Sequence, residues 1–248
     1  MYLSCLLIDV GTNPDRPRPG RLWLRNLYHV HQRLCMAFPS PARLSDDKDF
    51  LKPFEPEDFG RKQVHVRRGT DAGFLFRVDL QPGSRAVIVV QSAVKPDWQY
   101  AFRNADYLLA APPLVKLLDV RFAKDQRVRF RLVANPTRKT DTKSGPDGKR
   151  RNGRRVPVAT DRLHEWLALR ADTAGFLIDG DVITIQPGYV YVDKTLNGKG
   201  QRLRSARYDG ILKVTDPARF RETVIRGIGP GKAYGFGLLS VARTTAAR

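Results

Sequence analysis

Two consecutive stretches decide how the chain begins to fold: YLSCLLIDV at residues 2–10 and RLWLRNLYHVHQRLCMAF at residues 21–38. The first is short and rich in apolar residues, as in a strand, whereas the second repeats apolar residues at helical spacing until Pro39 and Pro41 end it. A loop rich in Gly, Pro and Arg separates them. The chain therefore opens with a predicted strand followed by a predicted helix.

The first half continues with strands around a weak second helix. Gln81-Pro82-Gly83-Ser84 is typical of a hairpin turn. Residues 40–69 carry acidic residues and prolines with few apolar repeats, and we interpret them as a long surface connection. The other predicted elements are strands at residues 74–80 and 86–91, a weakly helical stretch at residues 100–111 and a strand near residues 115–122.

A second set of elements in the same order begins after Lys124. Asp216-Pro217 opens its last helix, because Asp is a favoured N-cap and Pro is tolerated at the first helical position. Each half is thus predicted to be βαββαβ, so the sequence indicates an α+β fold of two tandem ferredoxin-like (RRM-like) domains, residues 1–123 and 124–248. The elements of the second half are strands at residues 126–134, 176–185, 188–195, 204–214 and 238–242 and helices at residues 161–171 and 217–226.

The composition is strongly basic. Lys and Arg number 44 against 25 Asp and Glu, which gives a formal net charge of +19 at neutral pH, and 31 of the 44 are Arg. Because the Arg fork can grip a phosphate or a guanine through two parallel hydrogen bonds, we predict a nucleic-acid partner. The alternative is that these charges are merely solvated.

Other classes of protein are disfavoured. No apolar run approaches the roughly 20 residues of a membrane helix, and residues 1–10 lack the basic start of a signal peptide, which predicts a cytoplasmic protein. Cys5 and Cys35 are too few for a disulfide framework or a four-cysteine zinc site. The three aspartates at residues 46–49 have no paired histidine, which disfavours a two-metal nuclease. We therefore predict neither a metal nor another cofactor.

Two segments concentrate the charge of the second half. Residues 137–157 are dense in Lys, Arg and Gly and nearly lack apolar residues, so we predict a loop that orders on a polyanion, with a solvated linker as the alternative. Residues 194–207 contain Asn197-Gly198, typical of a hairpin tip, and a basic hairpin fits a nucleic-acid groove. The residues predicted to bind RNA are Arg138, Lys139, Lys149, Arg150, Arg151, Arg154 and Arg155 in the loop and Lys194, Lys199, Arg202, Arg204 and Arg207 in the hairpin.

The first helix carries the residues best suited to chemistry. At about 100° per residue, its apolar positions form one buried stripe that also contains His31. Tyr28 lies at the margin of this stripe, one turn before His31, so both side chains can point to a common spot. His29 is predicted on the opposite, solvent face. The stripe comprises Leu24, Leu27, Leu34 and Phe38.

A histidine and a tyrosine on one helix face suit metal-free RNA cleavage. That reaction needs a base for the 2′-OH proton and an acid for the 5′-oxygen, each worth roughly 10²- to 10⁴-fold in rate. Histidine suits either role at neutral pH, and a tyrosine hydroxyl can polarise the 2′-OH or exchange a proton with it or with the leaving oxygen. The pattern leaves the roles of Tyr28 and His31 open. The alternative is that His31 is a core histidine satisfied by one hydrogen bond; we interpret His65 and His164 as surface or packing residues.

Residues 226–237, RGIGPGKAYGFG, form the densest glycine cluster in the chain. They do not fit a nucleotide-binding loop, because Ala233 replaces the Ser or Thr that a P-loop uses on magnesium and the G-x-G-x-x-G spacing also fails. Gly229 and Gly231 can bring backbone N–H groups to a phosphate beside Lys232, and we predict that these three residues bind RNA. The alternative is a plain helix end and turn into the last strand.

Several motifs, taken in order, resemble the CasE endoribonucleases of type I-E CRISPR systems. Residues 27–32, LYHVHQ, resemble the Tyr-x-x-His element of that family, and residues 129–136, RFRLVANP, resemble its R-F-R-L-x-A-N-P strand. Each motif is weak alone, whereas the ordered set is specific. The other matching segments are YLS at residues 2–4, RVP at 155–157, YDGIL at 208–212, GIGPGK at 227–232 and GFGLLS at 235–240.

The resemblance implies a tandem ferredoxin-like fold and metal-independent cleavage of CRISPR repeat RNA at the base of its hairpin, by 2′-OH attack that leaves a 2′,3′-cyclic phosphate. It also implies that the protein stays on the mature crRNA as a subunit of a multi-protein Cascade complex. At the matching positions, Tyr28 and His31 are the catalytic pair. The basic loop and the basic hairpin hold the RNA stem, the hairpin in the groove near the cleavage point.

The sequence departs from the family pattern in one respect that bears on catalysis. Met36 stands one turn beyond Gln32, where some relatives carry a basic residue, so a third catalytic cation, if one is required, comes from elsewhere. Arg25, which we also predict to bind RNA, and Lys232 are the residues considered for it. The competing hypothesis is a non-catalytic module that binds an RNA hairpin.

Overall fold

The computed structural model describes residues 1–13, 15–16, 18–38, 73–82, 85–140, 154–194 and 200–244. The chain divides into two compact units, which we call unit 1 and unit 2. The predicted domains, residues 1–123 and 124–248, stay a prediction. Unit 1 comprises Met1–Asp119, Tyr191–Gln201 and Ala233–Gly235, and unit 2 comprises Val120–Val190, Arg202–Lys232 and Phe236–Arg248.

A four-stranded antiparallel sheet forms the framework of unit 1. Its strands are β1 (Tyr2–Asp9), β2 (Phe74–Leu80), β3 (Arg85–Ser92) and β4 (Leu114–Leu117). The helices are α1 (Pro19–Leu24), α2 (Leu27–Cys35) and α3 (Trp98–Phe102), followed by a 3-10 turn at Asp106–Leu108. The strand order is β2-β3-β1-β4, which is the order of a ferredoxin-like sheet.

The core of unit 1 lies between this sheet and its helices. From Ser4 onward every second residue of β1 is buried, including Leu6 and Ile8, because successive side chains of a strand point to opposite faces. Val30 and Leu34 of α2 are fully buried in the same cluster, together with Phe76 of β2. Burial of each such side chain stabilises the fold by roughly 1.5–3 kcal/mol, so this packing fixes α2 on the sheet.

Unit 2 repeats the arrangement. Its sheet is built from β5 (Arg127–Ala134), β8 (Phe176–Val192), β9 (Gln201–Val214) and β10 (Leu239–Arg243) in the order β10-β5-β9-β8, again the ferredoxin-like order when the strands are counted along the chain. Thr137–Lys139 and Arg155–Pro157 pair as a separate two-stranded antiparallel ribbon. The other elements are β6 (Thr137–Lys139), β7 (Arg155–Pro157), α4 (Leu163–Thr173) and α5 (Pro217–Arg226), with a 3-10 turn at Thr160–Arg162; a further 3-10 turn, Lys232–Tyr234, lies where the chain passes from unit 2 to unit 1.

The predicted α+β fold of two tandem ferredoxin-like domains is confirmed, but the single helix at residues 21–38 is wrong. The structure has two helices, α1 and α2, which meet at Arg25 and Asn26. Asn26 has an extended backbone and caps α2 with its side chain, so the helical hydrogen-bond ladder cannot continue through it. Leu24 therefore belongs to a different helix from Leu27, His31 and Leu34 of the predicted stripe, and Phe38 lies beyond the end of α2.

Two predicted strands also differ from the structure. The strand predicted at residues 115–122 ends at Leu117, which pairs with Tyr2, the first residue of β1. The strands predicted at residues 176–185 and 188–195 are one strand, β8. Pro187 does not interrupt β8, which lies at the edge of the sheet, the position in which proline is tolerated within a strand.

Some predictions fall outside the described residues. They are the connection at residues 40–69 with its aspartates at 46–49, His65, the hairpin-turn residues Gly83 and Ser84, the middle of the basic loop with Lys149, Arg150 and Arg151, and Lys199 with the tip of the basic hairpin. None of the helices in the described part of the chain has the length and apolar composition needed to cross a membrane.

Candidate active site and RNA-binding surface

The candidate active site is built on the start of α2, which Asn26 fixes. Asn26 is 7% exposed, and its Oδ1 accepts a hydrogen bond from the backbone N–H of Tyr28 at 3.1 Å. The same oxygen accepts from the N–H of Asp193 at 3.1 Å, and Nδ2 donates to the Asp193 carbonyl at 2.7 Å. One buried amide thus joins the first turn of α2 to a segment 167 residues away.

His29 provides the fourth contact of Asn26. Its Nε2 lies 3.2 Å from Asn26 Nδ2, and it accepts a hydrogen bond in the tautomer protonated on Nδ1. An Asn side chain has two acceptor sites and two donor hydrogens, so all four are engaged here. The prediction that His29 lies on the solvent face is therefore wrong: His29 is half-buried, because the helix starts at Asn26 and places His29 in the first turn beside the cap.

Tyr28 is brought together with two residues from distant parts of unit 1. Lys194, which follows Asp193, has its Nζ 5.8 Å from the ring centroid of Tyr234. A hydrogen bond from the Lys194 ammonium to Tyr234 and the electrostatic effect of Tyr234 raise the pKa of Lys194, and Tyr28 adds a smaller electrostatic effect in the same direction. Lys194 therefore stays positively charged at neutral pH beside both tyrosines.

The position of Tyr234 depends on the neighbouring Gly235. Gly235 has φ +77°, and a Cβ added to it would lie 3.2 Å from Phe76 Cε2 and 3.4 Å from Leu27 Cδ1. The lack of a side chain at Gly235 lets this segment pack closely against the first residue of α2. Tyr234 is held next to the candidate site in this way.

His31 is held by aromatic rings and by a thiol. Its imidazole stacks on Phe74 at 5.4 Å and on Phe76 at 6.2 Å between ring centroids, with interplanar angles of 29° and 14°. Cys35 Sγ lies 3.6 Å from His31 Nε2, one helical turn onward. His31 is only half-buried, unlike the fully buried Val30 and Leu34, so the ring is fixed in direction while part of it reaches the surface.

Tyr28 and His31 lie three residues apart on α2, a spacing that places side chains side by side on a helix, with about 5–6 Å between their Cβ atoms. Both are half-buried. The structure thus places the two predicted catalytic residues on one capped helix, and it adds Lys194, which contacts Tyr234 and interacts electrostatically with Tyr28.

The described part of the basic loop forms the β6–β7 ribbon. Arg138, Lys139, Arg154 and Arg155 are all exposed there. Arg155 also donates a hydrogen bond to Thr137 Oγ1 at 3.4 Å across the ribbon. These four cations therefore face solvent from a paired backbone, as an RNA-binding surface requires.

The arginines of β9 differ from one another in their contacts. Arg202 is exposed, whereas Arg204 donates to the Val158 carbonyl at 2.9 Å. Arg207 and Arg131 both donate to the carboxylate of Asp209. Although burial alone would raise it, the hydrogen bonds from the two guanidinium groups hold the pKa of Asp209 below its usual range. Arg204 and Arg207 thus have structural partners that the sequence pattern did not predict.

The glycine-rich run folds back on itself. Gly229 and Gly231 have φ +83° and +79°, in the left-handed region that favours glycine. The N–H of Ile228 donates to the Gly237 carbonyl at 2.9 Å and thereby closes the loop. Lys232 is half-buried, and burial lowers its pKa, whereas Arg25 is exposed. Binding of RNA by these residues stays a prediction.

Sequence reasoning missed three residues of the site: Asn26, Asp193 and Tyr234. Asn26 could have been recognised from the sequence, because it stands in the middle of the predicted helix, and Asn is a poor helix former and a favoured N-cap. No local sequence pattern indicates Asp193 or Tyr234, since their roles depend on contacts between segments far apart in the chain. Within the described ranges, no group of three or more His, Cys, Asp or Glu side chains has the arrangement of a metal site.

The fold and the basic surface define a tandem ferredoxin-like protein. Comparison with known proteins identifies its family: the model of a family described as CRISPR associated protein matches residues 1–243. The CRISPR-associated endoribonuclease Cse3 of Thermus thermophilus is 31% identical over 217 residues, which cover 82% of this chain and 96% of Cse3. The chain belongs to this family of CRISPR-associated proteins, and the resemblance to CasE is confirmed.

Two further comparisons extend over nearly the whole chain. The CRISPR system Cascade subunit CasE of Escherichia coli is 29% identical over 248 residues, which cover 98% of this chain and 99% of CasE. A solved structure of the CRISPR endoribonuclease Cse3 bound to a 19-nucleotide RNA is similar with a TM-score of 0.67 and 28% identity, covering 98% of this chain and 100% of Cse3. This similarity confirms the tandem ferredoxin-like fold.

Proposed function

We propose that the protein is a metal-independent endoribonuclease that cleaves CRISPR repeat RNA at the base of its hairpin. Its similarity to relatives named as CRISPR-associated endoribonucleases supports the reaction class. The observation that carries the proposal is Tyr28 and His31 on one turn of α2, with the His31 ring fixed by Phe74 and Phe76.

The proposed reaction is an internal transesterification. The 2′-oxygen of the nucleotide before the cut attacks the adjacent phosphorus, and the bond from phosphorus to the 5′-oxygen breaks. One residue of the Tyr28 and His31 pair takes the 2′-OH proton, and the other supplies a proton to the 5′-oxygen. The products are a 2′,3′-cyclic phosphate and a 5′-hydroxyl.

The same proposal covers the partners of the protein. The exposed cations of the β6–β7 ribbon and of β9 bind the phosphates of the repeat hairpin, and the protein stays on the crRNA as a subunit of a Cascade complex. The name of the E. coli relative, a Cascade subunit, supports this assembly. We also propose that the protein acts in the cytoplasm, where the RNA for such processing is made.

The decisive test uses a labelled repeat hairpin in the presence of EDTA. Wild-type protein should release a product with a 2′,3′-cyclic phosphate, and a 2′-deoxy substitution at the nucleotide before the cut should prevent cleavage but not binding. His31→Ala should slow cleavage by roughly 10²- to 10⁴-fold and leave RNA affinity nearly unchanged. His164→Ala is the matched control, because His164 is exposed on α4. Binding by the wild type without any cleaved product would favour the non-catalytic RNA-binding module instead.

A further inference from the structure

The proposed reaction places additional negative charge on the phosphate oxygens, which an acid and a base do not neutralise. A fixed cation at that position stabilises the transition state. On α2 the position one turn beyond Gln32 is the apolar Met36, and Arg33 donates its hydrogen bonds to the Ala101 carbonyl and to Asn104. The cation therefore has to come from another segment.

The backbone that carries Lys194 is fixed to the start of α2. Asp193 is 7% exposed and exchanges two hydrogen bonds with Asn26, which also caps the turn that contains Tyr28. Lys194 is the next residue, and it is exposed. The Lys194 side chain thus starts from a backbone position fixed next to the cap of α2, and it is exposed, so a phosphate can reach its charged end.

Tyr234 restricts the position of the Lys194 ammonium. The Lys194 ammonium donates to Tyr234 and lies 5.8 Å from the centroid of its ring, within the range of a cation–π contact. The hydrogen bond to Tyr234 also raises the pKa of Lys194, so this group supplies a charge rather than a proton. The ammonium also interacts electrostatically with Tyr28 of α2.

We propose that Lys194 is a further catalytic residue, whose ammonium contacts the scissile phosphate beside Tyr28, and that Tyr234 positions it. This inference rests on the proposed endoribonuclease function. Lys194 is already predicted to bind the RNA stem, because it belongs to the basic hairpin. The inference adds a role for Lys194 in the chemical step. It also assigns the missing cation to the hairpin segment rather than to Arg25 or Lys232.

The test separates binding from the chemical step. Lys194→Met, Lys194→Arg and the control Lys116→Met are compared by RNA affinity and by single-turnover cleavage with the protein in saturating excess, in EDTA. Lys116 is an exposed ammonium on β4, so its loss removes the same charge from unit 1. Lys194→Met should cleave roughly 10²- to 10³-fold more slowly at saturation, as on loss of one group that stabilises an oxyanion. Lys194→Arg should restore most of the rate, and Lys116→Met should match the wild type.

Tyr234→Phe tests the positioning role. Loss of one hydrogen bond should slow saturated cleavage about fivefold, and the double variant with Lys194→Met should be no slower than Lys194→Met alone, because Tyr234 acts through Lys194. The inference is overturned if Lys194→Met weakens binding but cleaves at the wild-type rate once saturated. A wild-type protein that binds the repeat hairpin without cleaving it would instead overturn the proposed function, so the two failures are distinguishable.

Discussion

Unit 1 and unit 2 share a strand order, but they use their polar side chains differently. In unit 1, polar groups from two segments 167 residues apart converge at the start of α2, where the buried Asn26 amide engages all four of its hydrogen-bonding sites. In unit 2, the basic residues are spread along a ribbon and a strand, and those with partners are held by single groups such as Asp209 or the Val158 carbonyl. A convergent site suits chemistry at one phosphate, and a dispersed surface suits binding of many phosphates.

The largest effect on stability and on cleavage is expected from substitution of Asn26, where the polar groups of unit 1 converge. Asn26→Ala removes the cap of α2 and both hydrogen bonds between its side chain and the backbone of the buried Asp193, so it should lower the free energy of unfolding by about 2–4 kcal/mol. Cleavage should fall as well, because Lys194 and Tyr28 lose their common anchor. Thermal denaturation and single-turnover cleavage measure the two effects.

Asn26→Ser is the matched variant for this prediction. A serine hydroxyl can cap the helix but is too short to reach both backbone groups of Asp193, so the stability loss should be smaller while the cleavage defect persists. If Asn26→Ser cleaved as fast as the wild type, the contact with Asp193 would be irrelevant to the site.

The two regions also differ in how well the sequence predicts them. Strand alternation, the Asp216 cap and the Tyr28 to His31 spacing are local patterns, and the structure has each of them. The convergence at Asn26 joins residues 167 positions apart, and the approach of Tyr234 depends on Gly235. No local pattern encodes such contacts, because they arise only when the sheets and helices are packed. The basic surface is predictable as a charge excess, but the pairing of Arg207 with Asp209 is not.

Substitutions of the ribbon cations in unit 2 are expected to weaken RNA binding clearly but to change the cleavage rate little. Replacing Arg138, Lys139, Arg154 and Arg155 together by Gln should weaken RNA binding and reduce the slope of log affinity against log salt by roughly one for each residue. The cleavage rate at saturating protein should stay near that of the wild type. Filter binding from 50 to 300 mM salt, with single-turnover cleavage alongside, measures both quantities.

The control for the quadruple substitution in the ribbon removes four exposed cations that lie outside the ribbon. Replacing Lys95, Lys116, Lys124 and Arg221 by Gln changes the net charge by the same amount, but these residues belong to neither predicted RNA-binding segment. The salt slope should then change much less. An equal change in slope for both variants would mean that the whole surface attracts RNA without a dedicated ribbon.

The smallest effect is expected at Asp209, where unit 2 uses cations for structure. Because Arg207 and Arg131 hold the pKa of Asp209 below its usual range of about 3.9, the ion pairs stabilise the fold above that pH. Their contribution is lost as the pH falls through the lower, folded-state pKa. Asp209→Asn should therefore lower stability by less than about 1 kcal/mol at neutral pH, as is typical of partly exposed ion pairs, and the difference from the wild type should vanish in acid.

Asp209→Asn also tests the contrast between the two units. If unit 2 acts by presenting charge, freeing Arg207 and Arg131 from their carboxylate should strengthen RNA binding and steepen its salt dependence, while the cleavage rate at saturation stays unchanged. Thermal denaturation from pH 2.5 to 7 measures the change in stability, and RNA binding at several salt concentrations measures the affinity and its salt dependence. Weaker RNA binding by Asp209→Asn would mean that Arg207 has to be held in place, so that unit 2 too would depend on precise positioning of its side chains.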